Sequence, residues 1–441
     1  DMYGSDRSET TPDMGAMEFS VSGSALAGSY TIGSGGDYDS ISTALSDLAV
    51  YGISGPITFN ILAGTYDDPV VLGQVYGASA TSTITFQSAD ANADSVVWEN
   101  TANSSTSNYV LKLNGTDHIT LKNLTFKNQG SSYSQKVVLS GVTDSVSIEN
   151  NTFLGYQGGN STNHVSVYGN SADATGLKIK NNSFTDGGNY AINLNSNNSS
   201  SSPMGLEISG NTFTNTYNGI YAQYFDGVTV RGNTIKGSYM YDYGLNLNYC
   251  DGANVIEDNT IYAPDMTYGL YLNYCQAASG SEAAIINNLI SVEDYGIYMN
   301  QYNEYHNVYY NSVQVRDSNA LYYYSLNLNN IFKNNILFTE STNTSALYIA
   351  NSTGFTGDYN DLYSEYTYPI YYSNGYKTLF VYQASGQGEH SVELDPVYDT
   401  DSTLVPMRLL LDNLGTPIAG ITDDMNGNTR SGDTPDMGAM E

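Results

Sequence analysis

From residue 57 onward the chain alternates apolar and polar positions in short runs. Examples are Ile57-Thr58-Phe59-Asn60-Ile61, Ile84-Thr85-Phe86, Ile119-Thr120-Leu121, Val146-Ser147-Ile148, Leu177-Lys178-Ile179, Leu206-Glu207-Ile208 and Val228-Thr229-Val230. Strict alternation predicts strands with one face turned inward. After most runs an Asn follows in a fixed context: Asn123, Asn151, Asn182, Asn211, Asn233, Asn259, Asn288, Asn311 and Asn335, at intervals of 28, 31, 29, 22, 26, 29, 23 and 24 residues. A period near 25 with drifting length suits stacked β-coils with variable loops, whereas propeller blades repeat at about 40 residues or more. Asn tolerates left-handed backbone, so each should turn the chain between two strands. Its amide should bond to the Asn above and below, in a ladder at a spacing of about 4.8 Å.

A second set of lines fixes the faces. Gly219, Gly244 and Gly269 are 25 residues apart, and Gly296 follows 27 later. One residue after each Gly, or the Ala in its place, stand Ile192, Ile220, Leu245, Leu270, Ile297, Leu321 and Leu347. Three after stand Leu194, Ala222, Leu247, Leu272, Met299, Tyr323 and Ile349. These columns should face the core. The intervening columns carry Tyr221, Tyr271, Tyr298, Tyr322 and Tyr348, with Asn248 and Asn273 two residues further along their strands. They should form a flat solvent-facing wall, the candidate binding surface.

The fold class expected is all-β: a right-handed parallel β-helix, a single-stranded solenoid of about a dozen coils. Residues 29–56 read as an N-terminal cap. Within it Ile41, Ala44, Leu45 and Leu48 recur at helical spacing between Asp37 and Tyr51, Asp39 or Ser40 can N-cap the helix, and Gly52 ends it. Residues 57–384 hold the coils. Residues 385–441 read as a C-terminal cap and junction segment, and 1–28 as a terminal linker.

That linker repeats. Residues 1–18, DMYGSDRSETTPDMGAME, return as 424–441, DMNGNTRSGDTPDMGAME, at a constant offset of 423 with 13 of 18 positions identical. The expectation is head-to-tail order of identical units, in a tandem array or a polymer, with residues 1–18 packing on the end cap of the preceding unit as residues 424–441 pack on this one. Residue 1 is then expected to lie within a longer precursor or after a processed leader.

Composition narrows the partners. Net charge is −31, from 14 basic and 45 acidic residues. Nucleic acid and anionic membrane are excluded, since both need clustered Lys and Arg. The charge invites counter-ions, calcium among them. No apolar run reaches the roughly 18 residues of a membrane span. Charged residues are only 13%, and polarity comes instead from Asn, Ser, Thr, Gly and 41 Tyr.

Few constellations suggest chemistry. Asp226 and Asp251 should stack on adjacent coils and can perturb each other or grip a cation; the nearest basic residue by sequence is Arg231. Asp424, Asn426 and Asn428 place oxygen ligands at alternate positions around a Gly, as calcium loops do, or form a plain turn. Cys250 and Cys275 share a column and suit either a disulfide or stacked free thiols. The four His share no spacing.

The coil lines resemble the parallel β-helix repeats of the pectate-lyase-like superfamily over roughly residues 29–380, and a narrower likeness is carried by the stretches YTIGSGGDYDSISTAL, GPITFNILAGTY and ASATSTITFQS with the closing DDMNGNTRSGDTPDMGAME. They look like the tandem β-helix domains of large secreted bacterial surface and adhesin proteins. The resemblance implies the fold and an extracellular or cell-surface location. It leaves lyases, hydrolases, adhesins and structural repeats open. Lyases of the superfamily use a basic residue, often with acid-held calcium, and hydrolases use paired carboxylates. The function expected is a non-catalytic structural unit of an extracellular filament or giant adhesin. The alternatives are a polysaccharide lyase or hydrolase, and carbohydrate binding by the Tyr/Asn wall.

Overall fold

A computed structural model describes residues 23–102, 104–158, 161–196 and 202–441. The expected packing of residues 1–18 lies outside them. The chain is a right-handed parallel β-helix of about 13 turns. Three parallel sheets wrap one continuous core. Sheet I has 13 strands, from Leu26–Ile32 to Phe355–Asp358, and sheet II has 12, from Gly64–Asp67 to Asp361–Ser364. Sheet III has 13 strands, of which the parallel ones run from Val70–Leu72 to Ile370–Tyr372 and the last, Tyr376–Lys377, is antiparallel.

Inward positions of each sheet stack on themselves. On sheet II the column Trp98, Phe126, Phe153, Phe184 and Phe213 is fully buried, with ring centroids 4.7–5.6 Å apart. It continues as Ile235, Ile261, Ile290 and Val313. The glycines of sheet III face this column. A Cβ on Gly269 would lie 2.4 Å from Ile290 Cγ2 and 2.7 Å from the carbonyl of Gly296, so only a residue without a side chain fits there.

Helix α1 (Ile41–Tyr51) lies at the N-terminal end, with Ile41, Ala44, Leu45 and Leu48 buried. Ser40 is its N-cap, in a capping box with Thr43, and Gly52 is the C-cap. At the other end α2 (Leu379–Gln383) inserts Tyr382 into the core. Val392 pairs with Asp361 as a last partial rung. Beyond this point the chain does not sit on the end of the solenoid. Residues 413–441 fold back along its flank. Thr416 N donates to Asn334 Oδ1 (2.9 Å), Gly438 N to Asn334 O (2.7 Å) and Ala439 N to Ser312 Oγ (2.9 Å). The expected end-cap packing of 424–441 is thus corrected: Met437 and Ala439 need apolar cover, and Met437 finds it with Ile336 and Leu411 on the side of the late coils.

The Asn ladder runs at the corner between sheets I and II. Asn151, Asn182, Asn211, Asn233, Asn259, Asn288, Asn311 and Asn335 are all buried, and Asn360 extends the row. In each, the backbone N and Nδ2 donate to Oδ1 of the Asn one coil on, as from Asn211 to Asn233 at 3.0 Å each. The second Nδ2 hydrogen goes to a carbonyl of the coil before, as from Asn233 to Ile208 at 2.8 Å. Every polar atom of the amide is used. The left-handed residue, however, is not the ladder Asn but its predecessor: Asn150, Asn181, Gly210, Gly232, Asp258, Asn287, Tyr310 and Asn334 have φ from +55° to +65°. Asn123 stands in that left-handed column, with Leu124 at the ladder position. The two roles are split because an amide reaching along the ladder must point inward, while the turn residue points out.

Replacing Asn233 by Leu strips acceptors from the N–H and amide of Asn211, at about 1–3 kcal/mol per stranded buried group. We expect a loss of about 3 kcal/mol or more in urea unfolding, against less than about 1 for Thr234→Ala nearby. Equal losses would show that the ladder adds nothing specific.

His306 supplies a pH signature. It is fully buried, and burial pulls its pKa from 6.5 down to about 4. Folded chains keep it neutral while unfolded chains protonate it, so its contribution is full above about pH 6.5 and is lost as pH falls toward 4. A shift of that size is about 3 kcal/mol. Between pH 7 and 4.5 the unfolding free energy of wild type should fall more than that of His306→Asn; parallel curves would refute this.

Candidate functional site

The outward face of sheet III is the surface the sequence singles out. Strand register aligns Tyr221, Asn246, Tyr271, Tyr298, Tyr322, Tyr348 and Tyr371 in one column. From Tyr271 onward the rings stack parallel, with centroids 5.3, 4.7, 4.6 and 4.3 Å apart and planes within 13°. Beside it Tyr243, Tyr268 and Tyr295 form a second stack at 5.0 and 5.3 Å. The two stacks meet edge to face: Tyr268 and Tyr298 at 5.2 Å and 85°, Tyr295 and Tyr298 at 5.1 Å and 86°. This herringbone satisfies the ring quadrupoles in both directions.

A third stack lies at the turn that leaves sheet III. Tyr224, Tyr249, Tyr274 and Tyr302 follow one another at 5.2, 4.7 and 4.9 Å. All four are left-handed, with φ from +51° to +60°. Left-handed backbone costs a Tyr about 1–2 kcal/mol, and ring stacking at about 0.5–1.5 kcal/mol per pair offsets most of it. This stack and the Tyr243 column were not singled out by the sequence reading, although both repeat at the period of the Gly lines.

The wall differs from the expected solvent-facing grid. Tyr221, Tyr271, Tyr298, Tyr322 and Tyr348 are half-buried, because neighbouring rings cover one another's faces. What the surface offers is ring edges, hydroxyls and amides. Asn273 donates to Asn248 Oδ1 at 2.8 Å, and Asn300 donates to Asn273 Oδ1 and to the Tyr271 hydroxyl, both at 2.9 Å. Tyr221 stands outside the parallel stack, since Asn246 follows it, and its hydroxyl donates to Gln223 (2.8 Å). Burial, reinforced by neighbouring phenols, pushes Tyr243 and Tyr348 up to about 12 and raises Tyr298 as well. The wall is therefore neutral across the physiological range.

The other candidates fall elsewhere. Asp251 Oδ1 accepts from Gln276 N (2.9 Å); burial, with the like charge of Asp226, raises its pKa against that bond. Arg231 is committed to an ion pair with Glu257 on the next coil, not to the Asp226–Asp251 stack. Asp424 closes its loop as an acceptor: Oδ1 takes the N–H groups of Asn426 and Asn428, and Oδ2 takes Asn428 Nδ2 and Glu441 N, at 2.8–3.0 Å. Its acceptor positions are filled by the chain itself. Cys250 and Cys275 are free, buried thiols rather than a disulfide. Each points inward toward a carbonyl of the coil before, at 3.4 Å to Ala222 O and 3.5 Å to Leu247 O, so neither turns its sulfur into the torsion a bridge requires. Asn303 succeeds the cysteines in this column: its Oδ1 accepts the N–H of Cys275 (3.2 Å).

A model described as periplasmic copper-binding protein (NosD) matches residues 134–327 and 196–374, which together span more than half of the chain. The chain belongs to the NosD family. No curated protein matches it. Among solved structures this NosD-family chain is similar to the pectate lyase Pel9A (14% identity, TM-score 0.43, 92% of this chain and 91% of that one). It is also similar to the lacto-N-biosidase of Eubacterium ramulus (10%, 0.42, 75% and 67%) and to the alginate lyase AlyGC (11%, 0.38, 84% and 55%). The chain thus spans about half the length of that alginate lyase.

Tyr298→Ala removes two parallel stacks and the edge contacts with Tyr268 and Tyr295. At about 0.5–1.5 kcal/mol for each of these four aromatic pairs, the expected loss is about 2–6 kcal/mol in urea unfolding. A loss below about 0.5 kcal/mol would mean that the rings do not support one another.

Proposed function

We propose that this NosD-family chain is a non-catalytic β-helical unit of an assembly in the cell envelope or outside the cell, joined head to tail to units of its own kind. The observation that carries the reading is the return of residues 1–18 at 424–441. The family description, periplasmic, supports the location. A solenoid is a natural spacer, because each coil contacts only its neighbours and length follows from coil number. Net charge of −31 keeps such particles apart except where specific contacts form.

The other readings have less behind them. Sugar rings stack on exposed aromatic faces, and here the Tyr faces are covered by other Tyr. A lyase or hydrolase would need more than one acid pair: Asp226 and Asp251 are neighbours on adjacent coils, the next coil carries Gln276, and Arg231 is paired with Glu257. Copper, named in the family description, asks for imidazole or sulfur donors. Among the described residues no three His, Cys, Asp or Glu gather to hold a metal. Cys250 and Cys275 are fully buried, and burial pushes the Cys275 thiol away from the thiolate that copper needs. The donor set does not fit a copper centre.

Electron microscopy of the assembly from its native source tests the reading. Thirteen coils at about 4.8 Å predict rods about 60–70 Å long, strung in series. Isolated single rods, or turnover of a uronic-acid polysaccharide by the purified chain, would overturn it.

A further inference from the structure

The tail, 424–441, is held on the flank of the late coils by a small set of contacts. Arg430 lies 4.0 Å over the Tyr310 ring; its Nη2 donates to Asn287 Oδ1 (3.0 Å) and to Gly438 O (2.9 Å). Gly438 N meets Asn334 O, and Ala439 N meets Ser312 Oγ. Gly438 has φ +90°, and a Cβ there would lie 2.6 Å from Ser312 Oγ and 2.9 Å from Ile336 Cδ1.

Burial sorts the repeated positions. Asp424, Arg430, Pro435, Met437, Gly438 and Ala439 are the buried residues of the tail. All six recur at the head, as Asp1, Arg7, Pro12, Met14, Gly15 and Ala16. The five positions that differ are Asn426, Asn428, Thr429, Gly432 and Asp433, and all five are exposed. The head therefore repeats every tail residue that the flank encloses.

We infer that residues 1–18 are a docking segment for the flank formed by Asn287, Tyr310, Ser312 and Asn334, and that they seat on this flank of a second unit of the same kind. This rests on the head-to-tail reading for the identity of the partner, and it names the joint. The first strand begins at Leu26, eight residues past Glu18. A unit joined this way starts within about 28 Å of its neighbour's flank. The joint is a segment laid on the side of a rod, not a contact between two end caps. Thr416 and Asp423 anchor a unit's own tail but precede the repeated stretch, so a head that seats on this flank takes the place of residues 424–441 of that unit and leaves those two anchors where they are.

The test uses the full chain with its tail released by Met437→Asp and Gly438→Val, and a labelled synthetic peptide of residues 1–18 read by fluorescence anisotropy. A second variant, Arg430→Glu, releases the tail by charge with Gly438 intact. It guards against misfolding of the first, as does retention of wild-type circular dichroism by either. Saturable binding is expected to at least one folded variant, at least tenfold tighter than to wild type, and at least tenfold weaker for a Gly15→Val peptide. No saturable binding to a folded variant, or equal binding of the Gly15→Val peptide, overturns the inference. Series of rods in micrographs without peptide binding would leave the assembly and remove this joint. Binding without such series would keep the joint and remove the assembly.

Discussion

Everything in this molecule hangs on one recurring problem of hydrogen bonding. At each corner between sheets I and II the backbone must turn inside a dry interior, where an unpaired N–H or C=O costs about 1–3 kcal/mol. The buried Asn row answers it coil by coil. Each amide takes two donors from one neighbour and gives both its hydrogens, one forward and one back. Because an Asn side chain spans one coil and no more, the ladder also sets register. A slip by one residue would turn the strands inside out. With register set, like residues must stack: Phe on Phe in sheet II, Gly against Ile between sheets III and II, Tyr on Tyr outside.

The tyrosine wall follows from the same constraint. Rings one coil apart come within stacking distance whenever they share a column, and adjacent columns then meet edge-on. Charge would be poorly tolerated in such an array, because like groups would stand about 5 Å apart along every column. The wall is neutral, while charged pairs such as Lys180–Glu207 and Arg231–Glu257 sit on sheet I, where opposite signs alternate between coils.

What was legible in the sequence is what depends on local period. Ile220, Leu245, Leu270 and Ile297 alternate with polar residues at fixed distance from a Gly, and alternation alone says which point inward. Ser40 and Gly52 bracket α1 for reasons that act within a few residues. Asn151 to Asn335 were legible as a ladder, but not the assignment of the left-handed turn to the residue before each. Asn suits both roles, and Asn123 shows that it can occupy either column. The covering of Tyr298 by Tyr271 and Tyr322 depends on ring rotation about the side-chain bonds, which no spacing encodes. The inward turn of the Cys250 and Cys275 thiols is hidden for the same reason. Least legible was the flank contact. Asn287 meets Arg430 across 143 residues, and nothing local to either announces the other.

Asn287, Tyr310 and Asn334 connect the two periods of the chain. They are the left-handed residues beside the ladder, and because the ladder Asn takes the inward direction, they are free to face out. Outward, they present an amide, a ring and a backbone carbonyl in a row one coil apart. The tail reads this row with Arg430 and Gly438. A segment that fits a row of coils needs its enclosed residues unchanged and can vary elsewhere, which is how residues 1–18 and 424–441 differ. The corner that fixes the 25-residue repeat is thus also the surface that carries the 424–441 copy of the repeated segment.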